Sequence, residues 1–156
     1  MRWRTAPEGA AGAQIGFLLL RIALAVVIFP HGAQKVFGWF GGAGFDATLD
    51  FFGTSFGVPA PVTMAVMAAE LLGPPLLLLG LLTRLAALGI AAVMVGAIAM
   101  VHLPNGFFMD WQNTGAGEGY EYHLLALGIA LALVAGGSGR FGLDERRRRR
   151  RAQRRS

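Results

Sequence analysis

The stretch IGFLLLRIALAVVIFPHGAQKVF, Ile15 to Phe37, decides the fold. It is apolar almost throughout and its only charges are Arg21 and Lys35. A helix that crosses a bilayer needs about 20 consecutive, mostly apolar residues. A lone strand is excluded, because its unpaired backbone edges are not tolerated in lipid. Three further segments satisfy the same condition: about Pro61 to Leu82, about Arg84 to Leu103 and about Tyr120 to Ala135, the last being the shortest. The chain therefore reads as all-α, an integral membrane bundle of four helices.

Composition agrees. Apolar residues make up 54% of the chain and charged ones 15%, where a soluble domain carries about a quarter charged. The 156 residues divide into an N-terminal segment 1–14, a four-helix domain 15–143 and an Arg-rich tail 144–156. There is no cysteine, which excludes a disulfide framework, a thiolate metal site and a thiol relay within the chain. The net charge of +5 comes from the tail, where Arg146, Arg147, Arg148, Arg149, Arg150 and Arg151 follow the last apolar segment, with Arg154 and Arg155 beyond. Beside a membrane such a run binds anionic lipid headgroups, at about 1 kcal/mol per basic residue, and no nucleic acid is expected. Arg2 and Arg4 ahead of an apolar stretch imitate a signal peptide, but Arg21 interrupts the stretch and no small-residue cleavage site follows, so a retained first helix is expected.

Orientation follows from the cations. A four-helix weave puts Arg2, Arg4, Arg84, Arg140 and the tail on one side of the membrane. The two long connections, Gly38 to Ala60 and Pro104 to Gly119, fall on the other side and hold no Lys or Arg. By the positive-inside rule both termini are cytoplasmic in a bacterial inner membrane and both long connections are outside. The Phe and Trp residues of these connections suit an interfacial aromatic belt. The short connection at Leu82-Thr83-Arg84 reads as a turn with Thr83 as helix N-cap.

Ionisable groups within a bilayer are costly and mark function or pairing. Depths counted from the segment ends bring Arg21 and Glu70 within reach of each other, so a buried ion pair between them is expected. Pro74 cannot donate to the carbonyl of Glu70, nor Pro75 to that of Leu71, so a kink or loosening is expected there. His31 and Lys35 lie one turn apart on the face that also carries Arg21. His31, His102 and His123 all fall at the extracytoplasmic ends of their helices, level with Asn105, Tyr120, Glu121 and Tyr122. Imidazole, carboxylate and phenol can hydrogen-bond the two oxygens of a quinone and pass the protons that accompany its reduction. Imidazoles could instead ligate haem iron or another metal, although no tight ligand motif is present and no metal site is expected. The polar cluster could also simply close the bundle.

Several ordered pieces resemble the DoxX family of bacterial membrane proteins. They are Arg21, the His31-Gly32-x-x-Lys35-x-Phe37-Gly38 stretch, Glu70, and Leu76 through Gly80 to Thr83-Arg84. They continue with His102, Asn105-Gly106-Phe107-Phe108, Gly119-Tyr120-Glu121-Tyr122 and Gly137-Ser138-Gly139-Arg140-x-x-Leu143-Asp144. The resemblance implies a four-helix inner-membrane protein linked to respiratory redox chemistry, either as a subunit of a thiosulfate:quinone oxidoreductase or as a membrane anchor for soluble stress-response partners. The Arg-rich tail is not part of that pattern.

The leading expectation is a quinone-interacting subunit of a membrane oxidoreductase, with His31, Lys35, His102, Asn105, Tyr120, Glu121 and His123 as candidates to line the ligand pocket. No flavin or dinucleotide fingerprint is present, so electrons have to come from a partner subunit or from a bound quinol. No catalytic residue is assigned. Two rivals stand beside it: a non-enzymatic scaffold, and a small-molecule or proton transporter working through Glu70.

Overall fold

The computed structural model describes residues 9–115 and 117–154; Arg2, Arg4 and Arg155 lie outside them. It is a helical bundle with no strand among the described residues. The described residues form six α-helices: α1 (Gly9–Phe37), α2 (Phe45–Phe56), α3 (Ala60–Leu79), α4 (Thr83–Ala97), α5 (Glu121–Gly136) and α6 (Leu143–Gln153). Ala11–Phe37, Ala60–Leu79 and Thr83–Asn105 are long and apolar enough to cross a membrane, and α5 is a shorter apolar helix. α1 packs on α3, α3 on α4, α4 on α5, and α5 closes back on α1. The spans thus form a ring whose shared core includes Leu24, Ile28, Leu77, Ala87, Ile90, Ala130 and Leu133. Leu19, Val26, Leu72, Leu85 and Leu125 point outward and are exposed, as side chains bathed in lipid are.

Small residues set the distances between helices, as is usual where packing rather than water drives association. A Cβ on Gly32 would lie 2.5 Å from the carbonyl carbon of Glu70, so α1 and α3 touch backbone to backbone there. Pro74 has no N–H for the Glu70 carbonyl, and this is the peptide on which Gly32 packs. α3 nevertheless runs through Pro74 and Pro75 to Leu79 without interruption. At Gly136 the neighbour is Phe17, whose ring occupies the space a side chain would need.

That Gly32 contact fixes the register of α1 against α3 and overturns the expected Arg21–Glu70 pair. Arg21 lies eleven residues, about 16 Å of helix rise, from the level of Glu70. It is 1% exposed, and its Nε donates to Leu77 O at 2.6 Å, Nη2 to Leu78 O at 2.7 Å and Nη1 to Ser138 O at 2.8 Å. The last carbonyls of a helix lack intrahelical donors and carry partial negative charge. A guanidinium is the side chain best shaped to collect several of them at once. Glu70 pairs instead with Lys35, Nζ to Oε2 at 2.7 Å.

The α3–α4 turn also differs from expectation. Leu82, at φ 49°, holds the N-cap position. The hydroxyl of Thr83 is buried without a partner. The capping carboxylate comes from far along the chain: Asp144 accepts from Leu82 N and Thr83 N, both at 2.9 Å, while its own N–H donates to Gly80 O. Gly80, at φ 63°, has no room for a Cβ, which would meet Gly142 and the Arg21 guanidinium. At this arginine-rich end, Arg140 N also donates to Gln14 Oε1, and Arg84 Nη1 donates to Val134 O.

Candidate functional site

The histidine end is built differently. α4 gives way to a π-helical turn, Ile98–His102, and then a 3₁₀ turn, Leu103–Asn105. A π-turn accommodates an extra residue and often occurs at functional positions. Here it brings His102 onto His123 of α5, with ring centroids 3.9 Å apart. His102 Nδ1 is 2.7 Å from Glu118 O. A carbonyl can only accept, so Nδ1 carries the hydrogen of this bond.

From this pair the cluster continues inward. The Tyr122 ring lies 5.2 Å from His123 and 6.4 Å from His31. Glu70 is close enough to interact electrostatically with Tyr122 and with His31, and His31 with His123. The Lys35–Glu70 ion pair lies beside His31, one turn further along α1, with Lys35 about one-quarter exposed and Glu70 one-twentieth. α2 braces it, since Thr48 Oγ1 is 3.2 Å from the Lys35 carbonyl. His31 is exposed at the surface of α1, so the cluster is open on that side.

Two polar atoms in the cluster are buried without a partner: the Tyr122 hydroxyl and His123 Nδ1. Leaving a buried polar group unsatisfied costs about 1–3 kcal/mol. Such groups are exceptional in native structures and each calls for an explanation.

Of the residues singled out in the sequence, His31, Lys35, His102 and His123 are brought together. Glu70 joins them as the partner of Lys35, and Tyr122 joins from α5. The sequence places Tyr122 level with the histidines but does not single it out as a pocket residue. Asn105, Tyr120 and Glu121 serve the connecting loop instead. Asn105 Nδ2 donates to Glu118 O, and Tyr120 packs edge-on against Phe107. Glu121 accepts from Met109 N at 3.0 Å and from Trp111 Nε1 at 3.1 Å. Those bonds tie the loop down, and the carboxylate has a structural task. Among the described residues no three His, Asp or Glu side chains converge as a metal site.

A helical membrane bundle with a histidine–tyrosine cluster at one end and a lysine–carboxylate pair beside it defines the class. Within that class the chain belongs to the DoxX family: the family model DoxX matches residues 16–103. A second model, TQO small subunit DoxD, matches residues 60–155. The chain is 36% identical over 131 residues to Putative oxidoreductase CatD of Bacillus subtilis, covering 84% of this chain and 86% of that protein. It is 31% identical over 135 residues to an uncharacterized protein of Haemophilus influenzae, covering 85% and 83%. No solved structure matches.

Proposed function

We propose that this chain is the quinone-interacting membrane subunit of an oxidoreductase assembly. The observation that carries the proposal is the pair of unpartnered buried atoms, Tyr122 Oη and His123 Nδ1, beside the Lys35–Glu70 ion pair. A phenol can donate to a carbonyl oxygen and accept from a hydroxyl, and an imidazole nitrogen can do either according to its tautomer. This donor set fits a headgroup that presents carbonyls in one redox state and hydroxyls in the other. Quinone chemistry supplies the exchange of two electrons with two protons. This chain's residues bind and orient the ring oxygens, while Glu70 and His123 offer places to hold a proton. His102, whose ring meets that of His123 at a tilt, offers a further place. The relatives support the redox setting: one is named an oxidoreductase, and the other family model describes the small subunit of TQO, a thiosulfate:quinol oxidoreductase.

On this reading other oxidoreductase subunits deliver or accept the electrons. The bundle sits in a bacterial inner membrane with its arginine-rich end toward the cytoplasm, in accord with the positive-inside rule. Arg146, Arg147, Arg148, Arg149, Arg150 and Arg151 then meet anionic headgroups.

The test is titration of the purified chain in detergent with a short-chain ubiquinone or menaquinone analogue. Tyr122→Phe removes only an oxygen that has no internal partner, so the fold keeps its thermal stability while analogue binding weakens about tenfold, the value of one hydrogen bond. His102→Ala weakens binding as well. A parent chain that binds no analogue, or a Tyr122→Phe variant that binds it unchanged, overturns the proposal.

A further inference from the structure

At the opposite end of the bundle from the histidines lies a cavity of about 850 Å³, open to the surface. It is framed by the start of α1, the start of α4, the turn after α5 and the first turns of α6. Its walls have two characters. Phe17, Leu82 and Leu85 make an apolar side, and Leu82 and Leu85 are exposed where the bundle faces lipid. Arg84, Arg140, Arg148 and Arg149 make a cationic side.

The hydrogen bonds these arginines make within the fold do not use up their donors. Arg84 spends Nη1 on Val134 O, and its Nε and Nη2 border Gly137, which at φ 74° keeps that space clear. The backbone of Arg140 is fixed by Gln14. Arg148 and Arg149 each spend Nε on Glu145, at 2.8 and 2.7 Å. A guanidinium has five N–H donors, so terminal nitrogens remain on every one of them. Four guanidiniums face two carboxylates, Asp144 and Glu145. Both carboxylates are already committed, Asp144 to the N-terminus of α4 and Glu145 to the two arginines of its own helix. The cavity therefore has positive charge to spare.

We propose that this cavity is a binding site for the phosphate of an anionic phospholipid, with the arginines on the phosphodiester and the acyl chains descending over Leu82 and Leu85. Planar guanidiniums match phosphate oxygens in paired hydrogen bonds. The volume lies in the range of small-molecule sites, roughly 300–1,000 Å³. The exposed leucines at the rim are what distinguish a lipid from a free anion. Four separate elements of the fold converge on this site, which distinguishes it from the general attraction of the tail for a charged membrane.

The experiment compares two variants of equal charge in the full-length chain. Arg140→Gln/Arg148→Gln empties the cavity wall, and Arg147→Gln/Arg150→Gln removes the same charge from the exposed remainder of α6. Each is titrated in a zwitterionic detergent with dispersed phosphatidylglycerol, with inorganic phosphate as a separate arm. Intact circular dichroism and an unchanged elution volume establish that both variants fold. The expected result is binding weakened about tenfold or more by the cavity pair, little change with the outer pair, and no comparable saturation by inorganic phosphate. Equal weakening by both pairs makes the attraction diffuse and overturns the proposal. Saturation by inorganic phosphate at the same concentration makes the ligand a free anion and also overturns it. Failure of phosphatidylglycerol to bind the parent does so too.

Discussion

Arg21 sits in the apolar interior with three carbonyl oxygens around it and, among the described residues, no carboxylate bonded to it. Its Nε, Nη1 and Nη2 each take one of those oxygens, joining the end of α3 to the turn after α5. Arg21→Met leaves Leu77, Leu78 and Ser138 without these donors, with a cost of about 3 kcal/mol from bonds to a charged group. Thermal unfolding in detergent should show the loss. Arg21→Lys should recover only part of it, because an ammonium cannot spread over three separated oxygens. A melting temperature unchanged in Arg21→Met would mean that the cation holds nothing together. The importance of Arg21 was legible in the sequence, because a lone cation in an apolar run needs a reason. Its partners were not. Depth counted from helix ends cannot see that Gly32 lets two backbones touch, and that contact alone decides which residues of α1 and α3 are level. The same contact hands Glu70 to Lys35.

At the scale of elements, the four spans are nearly as the apolar runs indicate, since burial in lipid leaves no other option for such segments. Two helices escaped that reasoning. α2 lies in a connection broken by Gly38, Gly41, Gly42 and Gly44, where the sequence reads as loop, yet Phe51, Phe52 and Phe56 gather in edge-on contacts along it. α6 reads as an Arg-rich tail beside the membrane, but its first turn carries Asp144, whose backbone and carboxylate fasten the tail to the α3–α4 turn. The capping contribution of such a carboxylate is about 1–2 kcal/mol. Asp144→Ala should reduce stability by that amount and make the tail more sensitive to limited proteolysis after arginine. A tail cleaved no faster than in the parent would show that α6 is held by something else. No reading of Thr83 could have found this cap, because its N–H and the accepting carboxylate are 61 residues apart and the hydroxyl nearest to hand is not used.

For the whole molecule, the two ends divide the work. The arginine-rich end collects Gly80, Leu82, Arg84, Ser138, Arg140 and Asp144 into one joint, and the other end collects the titratable rings. This division explains why stretches far apart in the sequence carry the family likeness: they meet in the fold. The site was partly legible, because three histidines fall at one level. What separated His31 and His123 from Asn105, Tyr120 and Glu121 was not legible, since all of them share that level and only side-chain direction distinguishes ring cluster from loop. If the positive-inside reading is right, reporter fusions at the N- and C-termini should both be active on the cytoplasmic side, and a reporter inserted at Gln112 should be active outside. Termini on opposite sides would rule out this arrangement.

The π-turn at Ile98–His102 gives α4 a peculiarity of counting. One residue more than an α-helix would hold is absorbed there, and removing a residue from this turn would restore regular winding and swing the residues beyond it by about 100°. His102 would then leave the His123 ring even though every side chain of the cluster was still encoded. In this bundle the spacing of α4 matters as much as its chemistry. A relative that keeps all three histidines but is one residue shorter there would have lost the ring pair.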